Sequence, residues 1–311
     1  MQRITFKQYV GVRIRGTEEA ELRSENYHLW RAAYLTAQVE SGGMYGTVMN
    51  YDGTGMTAGI HQAIAVYPRE LAHPDGNAED DQGLLWKLIA RIGVGFVHPA
   101  LIEIIEALFD RGWFIAPDNL LRNRKTGEVV PGPFIRKELT GSADGRMPMS
   151  GPGRERAERY VQLFHVAFSD RKTFSPQDRF GMEQMSKRAH RAKINGKTIQ
   201  EAVYGYKDIS VITVGNLGPE MDLAMCFFWS NTVNAPFYAL KYLGFCLPIL
   251  RKEGPETFAK ALVWRLGKSM YGRWNEDLKN GRYQRTRKAA MEIWPRELFE
   301  GPQAIMPKDI P

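Results

Sequence analysis

Cysteine is nearly absent: the 311 residues hold two, Cys226 and Cys246, each in strongly apolar surroundings. So small a supply excludes a disulfide-stapled scaffold and reads as two buried free thiols. Long hydrophobic runs are missing as well. A membrane-spanning helix needs about 18 or more apolar residues in succession, and the nearest approach, residues 224–250, is broken by Asn231, Asn234, Pro236 and Lys241. Around Met1 the residues Gln2, Arg3, Ile4, Thr5 and Phe6 form no apolar run of signal-peptide length, so the expectation is synthesis as a soluble cytoplasmic protein. The sequence also lacks a Lys/Arg run of five or more, a helix-turn-helix signature and any zinc-ligand spacing, which removes the usual marks of a nucleic-acid binder. Internal repeats and low-complexity linkers are absent.

What the chain does have is enough apolar content, 43%, to bury a sizeable core. Its apolar spacing is mostly helical. From Thr17 to Val39 no Gly or Pro interrupts a stripe of Leu22, Leu29, Ala33 and Ala37, widened by Trp30, Tyr34 and Leu35. Thr17, followed by Glu18, Glu19 and Glu21, supplies start signals, and Gly42-Gly43 a stop. Further helices are predicted over residues 83–92, 99–110, 154–168, 176–192, 220–243, 255–271 and 275–293. Residues 122–152, rich in Gly, Pro and charge, read as a long loop or a β-hairpin insertion around Glu128-Val129-Val130 and Phe134-Ile135. The expected architecture is therefore mainly α, a single large helical domain over residues 1–311. Within it lie a distinctive motif at 17–70 and a helical C-terminal part at 154–300.

The formal net charge is +7, which implies an anionic partner. With nucleic acid disfavoured, an anionic polymer such as peptidoglycan, with its stem-peptide carboxylates and neighbouring phosphate polymers, fits that sign.

The motif that carries chemistry lies between residues 40 and 62. Glu40 falls in the last turn of the first helix, on or near a face shared with Ala33, Ala37 and Thr36, a partly apolar setting of the kind a general acid requires. A Gly-rich excursion then presents a second carboxylate, Asp52. Cleavage of a glycosidic bond needs one carboxylic acid to protonate the leaving oxygen and a second carboxylate to activate water or stabilise an oxocarbenium-like transition state. Asp52-Gly53-Thr54-Gly55 is also a strong turn signal. It begins like a calcium loop, but Thr54 and Ala63 stand where that loop demands acidic or amide ligands, and no metal is implied.

Glu40-Ser41-Gly42-Gly43, a spacer, and then Asp52-Gly-Thr-Gly-Met-Thr-Ala-Gly-Ile-His-Gln62 resembles the active-site segment of the lysozyme superfamily. The nearest likeness is to goose-type lysozymes and lytic transglycosylases, where a Glu-Ser at a helix end is followed by an Asp, a Gly-rich β-turn and a Gly-Leu-Met-Gln element that opens the next helix; Gly59-Ile60-His61-Gln62 would be that last element. Chitosanases of that superfamily show a similar Asp-Gly-x-Gly-x-Thr-x-Gly stretch, and Thr57 and Gly59 partly echo a phage-type pattern. The likeness covers roughly 25 of 311 residues. It also departs from the goose-type pattern, since Ile64 stands where those enzymes often carry an acid, which leaves the second-carboxylate role to Asp52 alone.

The resemblance implies a lysozyme-like helical fold with a small β-hairpin beside the cleft. It also implies a muramidase that cuts β-1,4 bonds of the glycan strand without a cofactor. Glu40 would be the acid and Asp52 the base or electrostatic stabiliser, with Thr57, Gly59 and Gln62 shaping the turn and its substrate contacts. Having Asp52 favours hydrolysis over transglycosylation, and the basic charge disfavours a cationic substrate such as chitosan. Such an enzyme, a phage endolysin or an antibacterial effector, would need another system to carry it to the wall. The competing class is a noncatalytic phage structural or cell-wall-binding protein.

Two further groups are candidates for sugar contacts. Trp229, Asn231 and Asn234 form a polar seam in an apolar helix, able to stack on pyranoses and bond hydroxyls, or else to satisfy backbone freed by Pro236. His61 beside Gln62 is either a substrate contact or a packed histidine; no second ligand stands at metal spacing from it.

Overall fold

Helical periodicity is realised along most of the chain. The computed structural model describes residues 27–50, 54–67, 82–95, 97–204, 218–233, 235–270 and 276–310. It is mainly helical with a few small antiparallel hairpins. In chain order the first elements are α1 (Tyr27–Glu40), β1 (Val48–Met49), β2 (Thr57–Ala58), β3 (Ala63–Ile64), α2 (Leu85–Gly95) and α3 (Pro99–Asp110). Next come β4 (Trp113–Ile115), β5 (Leu121–Asn123), α4 (Gly132–Thr140), α5 (Pro152–Ser169) and α6 (Arg171–Arg191). The last are β6 (Lys193–Ile194), β7 (Lys197–Thr198), α7 (Ile199–Tyr204), α8 (Gly218–Thr232), α9 (Pro236–Glu253), α10 (Pro255–Met270) and α11 (Glu276–Ala290). Among the described residues no helix is long and apolar enough to cross a membrane.

The sequence reads as one domain over 1–311; by its contacts the chain gathers into two compact units, Met44–Phe180 and a second built from the segments that end at Gly43 and begin at Gly181.

In the first unit, β1, β2 and β3 form an antiparallel sheet with Val48 opposite Ala58, Met49 opposite Thr57, Thr57 opposite Ile64 and Ala58 opposite Ala63. Met56 and Ala58 enter a core with Trp86, Ile89, Ile104, Leu108, Leu139, Phe164 and Phe168, which binds the sheet to α2 and α5. Trp86 secures that packing by donating its indole N–H to the Ala65 carbonyl at 3.0 Å. Helix α3 starts as its residues dictate: Pro99 occupies the first turn, where no N–H is needed, and His98 Nδ1 accepts the Ala100 N–H at 3.0 Å.

The stretch 122–152 departs from expectation. Its hairpin lies earlier, as β4 and β5, with Val129 bridging Arg122. Phe134 and Ile135 belong to helix α4. Prolines at 131 and 133 there signal a helix start rather than a loop, because the first turn tolerates proline. Gly141, at φ +82°, ends the helix against Gly153, whose carbonyl oxygen would lie 2.5 Å from any added Cβ. Gln82 locks the hairpin from a distance: its amide donates to the Leu121 and Val130 carbonyls at 2.8 and 2.9 Å and accepts the Leu121 N–H at 2.7 Å.

In the second unit α8 is buried on every side from Met221 to Thr232 and packs against α1, α9 and α10. A helix apolar all round belongs at the centre of a bundle. The expected helix over 220–243 is two helices, because Pro236 opens α9 and cannot continue α8. Cys226 and Cys246 are buried free thiols. Burial pushes the Cys246 thiol up to about 11. It pushes Cys226 well above its ordinary value, helped by the neighbouring Asp222 charge, so both are weak nucleophiles near neutral pH.

Candidate functional site

Helix α1 runs without Gly or Pro to Glu40, where its hydrogen-bond ladder closes on Ala37. The Ala37 carbonyl receives the Ser41 N–H at 3.0 Å, the Ser41 hydroxyl at 2.9 Å and the Gly43 N–H at 3.1 Å. Gly42 and Gly43 sit at φ +65° and +75°, the left-handed conformation that glycine adopts without a Cβ penalty. Glu40 thus takes the helix-end position read from its sequence. Its carboxylate is 16% exposed and is ion-paired with Arg282 of α11, a partner 242 residues away in sequence. The expected setting of apolar neighbours is incomplete: a guanidinium faces the acid as well. Asp52, the expected second carboxylate, lies outside the described residues.

Past the glycines the chain enters the first unit and builds the three-stranded sheet. Thr57 opens β2 and Gln62 ends the four-residue connection from β2 to β3, and their side chains meet: the Thr57 hydroxyl donates to Gln62 Oε1 at 2.7 Å. Gln62 Nε2 donates in turn to the carbonyls of Thr47, 3.0 Å, and Gly59, 2.7 Å. A buried amide with both ends engaged is a staple for the hairpin, and it holds Gln62 itself at φ +48°. Gly59 and Gln62 lie in this connection and are held through internal bonds, with Thr57 and Gln62 both buried. The helix expected to open at this element is instead strand β3, because the Thr57–Gln62 bond closes a hairpin. His61 is half-buried in the same connection.

Residues that sequence patterning did not single out support the hairpin from α5 and α6. Gln177 Oε1 accepts the Ile60 N–H at 3.1 Å while its Nε2 holds Phe168 O at 3.0 Å and Thr173 Oγ1 at 3.1 Å. Tyr45 stacks on Phe174 with ring centroids 3.6 Å apart and donates to Asp178 at 2.7 Å. His165 Nδ1 lies 2.8 Å from the Gly46 carbonyl. No local period marks such groups; only the tertiary fold reveals them.

Gly59 is placed so that its replacement reports on this support. At φ +85° a Cβ would fall 2.7 Å from Gln177 Oε1 and 3.3 Å from the Phe168 ring. Gly59→Ala is expected to cost about 2–3 kcal/mol, the sum of left-handed strain and a displaced buried amide. Gly127→Ala, also at positive φ but with open space around it, isolates the strain and should cost about 1 kcal/mol. Urea denaturation of both variants checks the difference.

Trp229 and Asn231 do not form an open lining. Trp229 is buried with its ring edge-to-face on Phe228, centroids 4.8 Å apart, and Asn231 Nδ2 donates to the Phe227 carbonyl of its own helix at 2.8 Å. Helix α8 ends before position 234, and Asn234 lies outside the described residues. Trp229 is spent on packing and Asn231 on a carbonyl of its own helix.

A polar cavity of about 290 Å³ opens elsewhere in the first unit, between α3, α4 and α5. Arg111 and Arg156 engage the buried Glu138 at 3.0 and 3.7 Å, and the Tyr160 hydroxyl donates to it at 3.1 Å. Burial, then the Glu138 charge, pushes the Tyr160 phenol upward. Its charges satisfy one another and mark a structural knot.

Compared with protein-family models, curated proteins and solved structures, the chain matches none.

Proposed function

We propose that this protein is a lysozyme-like glycoside hydrolase acting on the glycan strand of peptidoglycan, with Glu40 as general acid and Asp52 as base or electrostatic stabiliser. One observation carries the reading. A helix that ends on Glu40 is stopped by two left-handed glycines and followed by a three-stranded antiparallel sheet, and the sheet's second connection is stapled by Thr57 and Gln62. A helix-end acid followed by a Gly-rich hairpin is the part of the sequence resemblance that supports this reading.

In this mechanism Glu40 gives its proton to the glycosidic oxygen as the bond to the anomeric carbon breaks, and Asp52 draws a proton from a water attacking the opposite face. The ion pair with Arg282 has to open, or be exchanged for substrate contacts, before Glu40 can act. The net charge of +7 draws the protein to an anionic wall and repels a cationic glucosamine polymer.

Initial rates on purified peptidoglycan and on soluble chitosan across a salt series test the substrate class. Wall cleavage should fall as ionic strength rises past the physiological range, where the screening length drops below about 8 Å. Chitosan should be cleaved poorly at low salt. Efficient chitosan cleavage with the wall untouched would move the protein to the chitosanase branch, and anhydro-sugar ends in the wall digest would make it a transglycosylase.

The Glu40–Arg282 pair favours a second reading, in which the motif persists in a noncatalytic wall-binding or virion protein and Glu40 anchors α11 to α1. Such a protein would bind walls and leave every glycosidic bond intact.

A further inference from the structure

Helices α9 and α10 pack against each other, yet α9 turns aromatic rings to solvent: Phe237 is 71% exposed, Phe245 52% and Tyr238 48%. Phe237 lies edge-to-face on Tyr238 at 5.6 Å, and Tyr238 stacks on Tyr242 at 6.3 Å, so the rings form a continuous strip. Cations are set into it. Lys241 Nζ is 5.8 Å from the Phe245 ring centre, and Arg265 of α10 is 5.7 Å from the same ring. On α10, Lys268 stands 5.5 Å from the half-exposed ring of Trp264. None of these three cations meets a carboxylate among the described residues, unlike Lys260 of α10, which pairs with Glu256 at 3.1 Å.

Exposed phenyl rings with no hydrogen-bonding edge cost free energy in water, and unpaired cations between them select a partner that is both apolar and anionic. Sugar platforms offer bare ring faces, whereas Phe245 has cations over it. A bilayer interface supplies both needs at once, with acyl chains for the rings at headgroup depth and lipid phosphates for Lys and Arg. We propose that the α9–α10 face docks on an anionic lipid surface, the helices lying along the interface rather than entering it.

The test is co-sedimentation of the full chain with vesicles of phosphatidylcholine alone and of an equal mixture of phosphatidylcholine and phosphatidylglycerol. Binding should be at least tenfold tighter to the anionic vesicles and should weaken near 1 M salt, where the screening length is about 3 Å. Phe237→Ser with Phe245→Ser, both exposed positions, with retained folding checked by circular dichroism, should weaken it about tenfold. Lys241→Gln should weaken it about fivefold, the equivalent of about 1 kcal/mol per cation at such a surface. Failure to bind, equal binding to neutral vesicles, or unchanged binding by the variants overturns the proposal. So does self-association of the wild-type chain by light scattering that the double Phe variant abolishes, which would give the face to a second copy. Retention on insoluble peptidoglycan that depends on the same residues, without vesicle binding, would give it to a glycan.

Discussion

Glu40→Gln is expected to lower turbidity loss of a cell-wall suspension by about 10²–10⁴-fold, with the protein still folded. The amide keeps the shape of the side chain but cannot deliver a proton, and a positioned general acid contributes a factor of that order. The corresponding rise in barrier is about 3–5 kcal/mol. Loss of the ion pair works against this only weakly. Arg282 is 31% exposed and can turn to water when its partner is neutralised, so the stability change should stay near 1 kcal/mol. The two effects are thus separable, and Arg282→Gln separates them further. If Glu40 is the acid, Arg282→Gln leaves substantial lysis, because the proton donor itself is kept. If Glu40 is only an anchor, the two variants lose similar stability and neither alters any lysis. A folded Glu40→Gln protein that clears walls at a near wild-type rate removes Glu40 from the mechanism.

The helix-end position of Glu40 was legible because its signals are local. An uninterrupted apolar period and a Gly-Gly stop lie within one segment, and the structure ends α1 on Glu40 itself. Helices α2, α3, α5, α10 and α11 were legible for the same reason, within a few residues at their ends. Helix α4 was not. Its Pro-Gly-Pro opening scores as a breaker unless proline is weighed by position, and its nine residues are too short for periodicity to outvote that. The break between α8 and α9 was masked by the apolar residues on both sides of it. Least legible were the pairings that define the site: Arg282 with Glu40, Gln177 with the Ile60 N–H, and Gln82 with the β4–β5 hairpin. These join groups whose sequence separation carries no pattern, so one-dimensional spacing cannot report them. Thr57 with Gln62 is the instructive intermediate case: both were singled out for the turn, but the bond between them, five residues apart, was not foreseen and faces inward.

Asp222→Ala should be the most damaging substitution in the second unit, at about 3–5 kcal/mol. Asp222 sits on α8 with its side chain 6% exposed and is ion-paired with Arg31 of α1. The same oxygen accepts the Trp294 indole N–H at 2.7 Å, and the other oxygen receives the Cys226 thiol at 3.7 Å. Arg31 also lies 5.5 Å from the centre of the Trp294 ring, so one carboxylate holds together α1, α8 and the segment after α11. Removing it takes from Arg31 and from the buried Trp294 indole N–H the carboxylate they share, whereas the exposed i,i+4 pair Arg154–Glu158 is worth at most about 0.5 kcal/mol. Glu158→Gln is therefore the surface control. The paired replacement Arg31→Met with Asp222→Leu should recover much of the loss, since the charge is then deleted rather than orphaned. Denaturant titrations of the three variants decide it: Asp222→Ala within about 1 kcal/mol of wild type, or a paired variant as unstable as the single one, would show that this network does not brace the unit. Because α1 ends on Glu40, the same loss should loosen the carrier of the acid, and lysis by Asp222→Ala should fail at a lower temperature than lysis by Glu158→Gln.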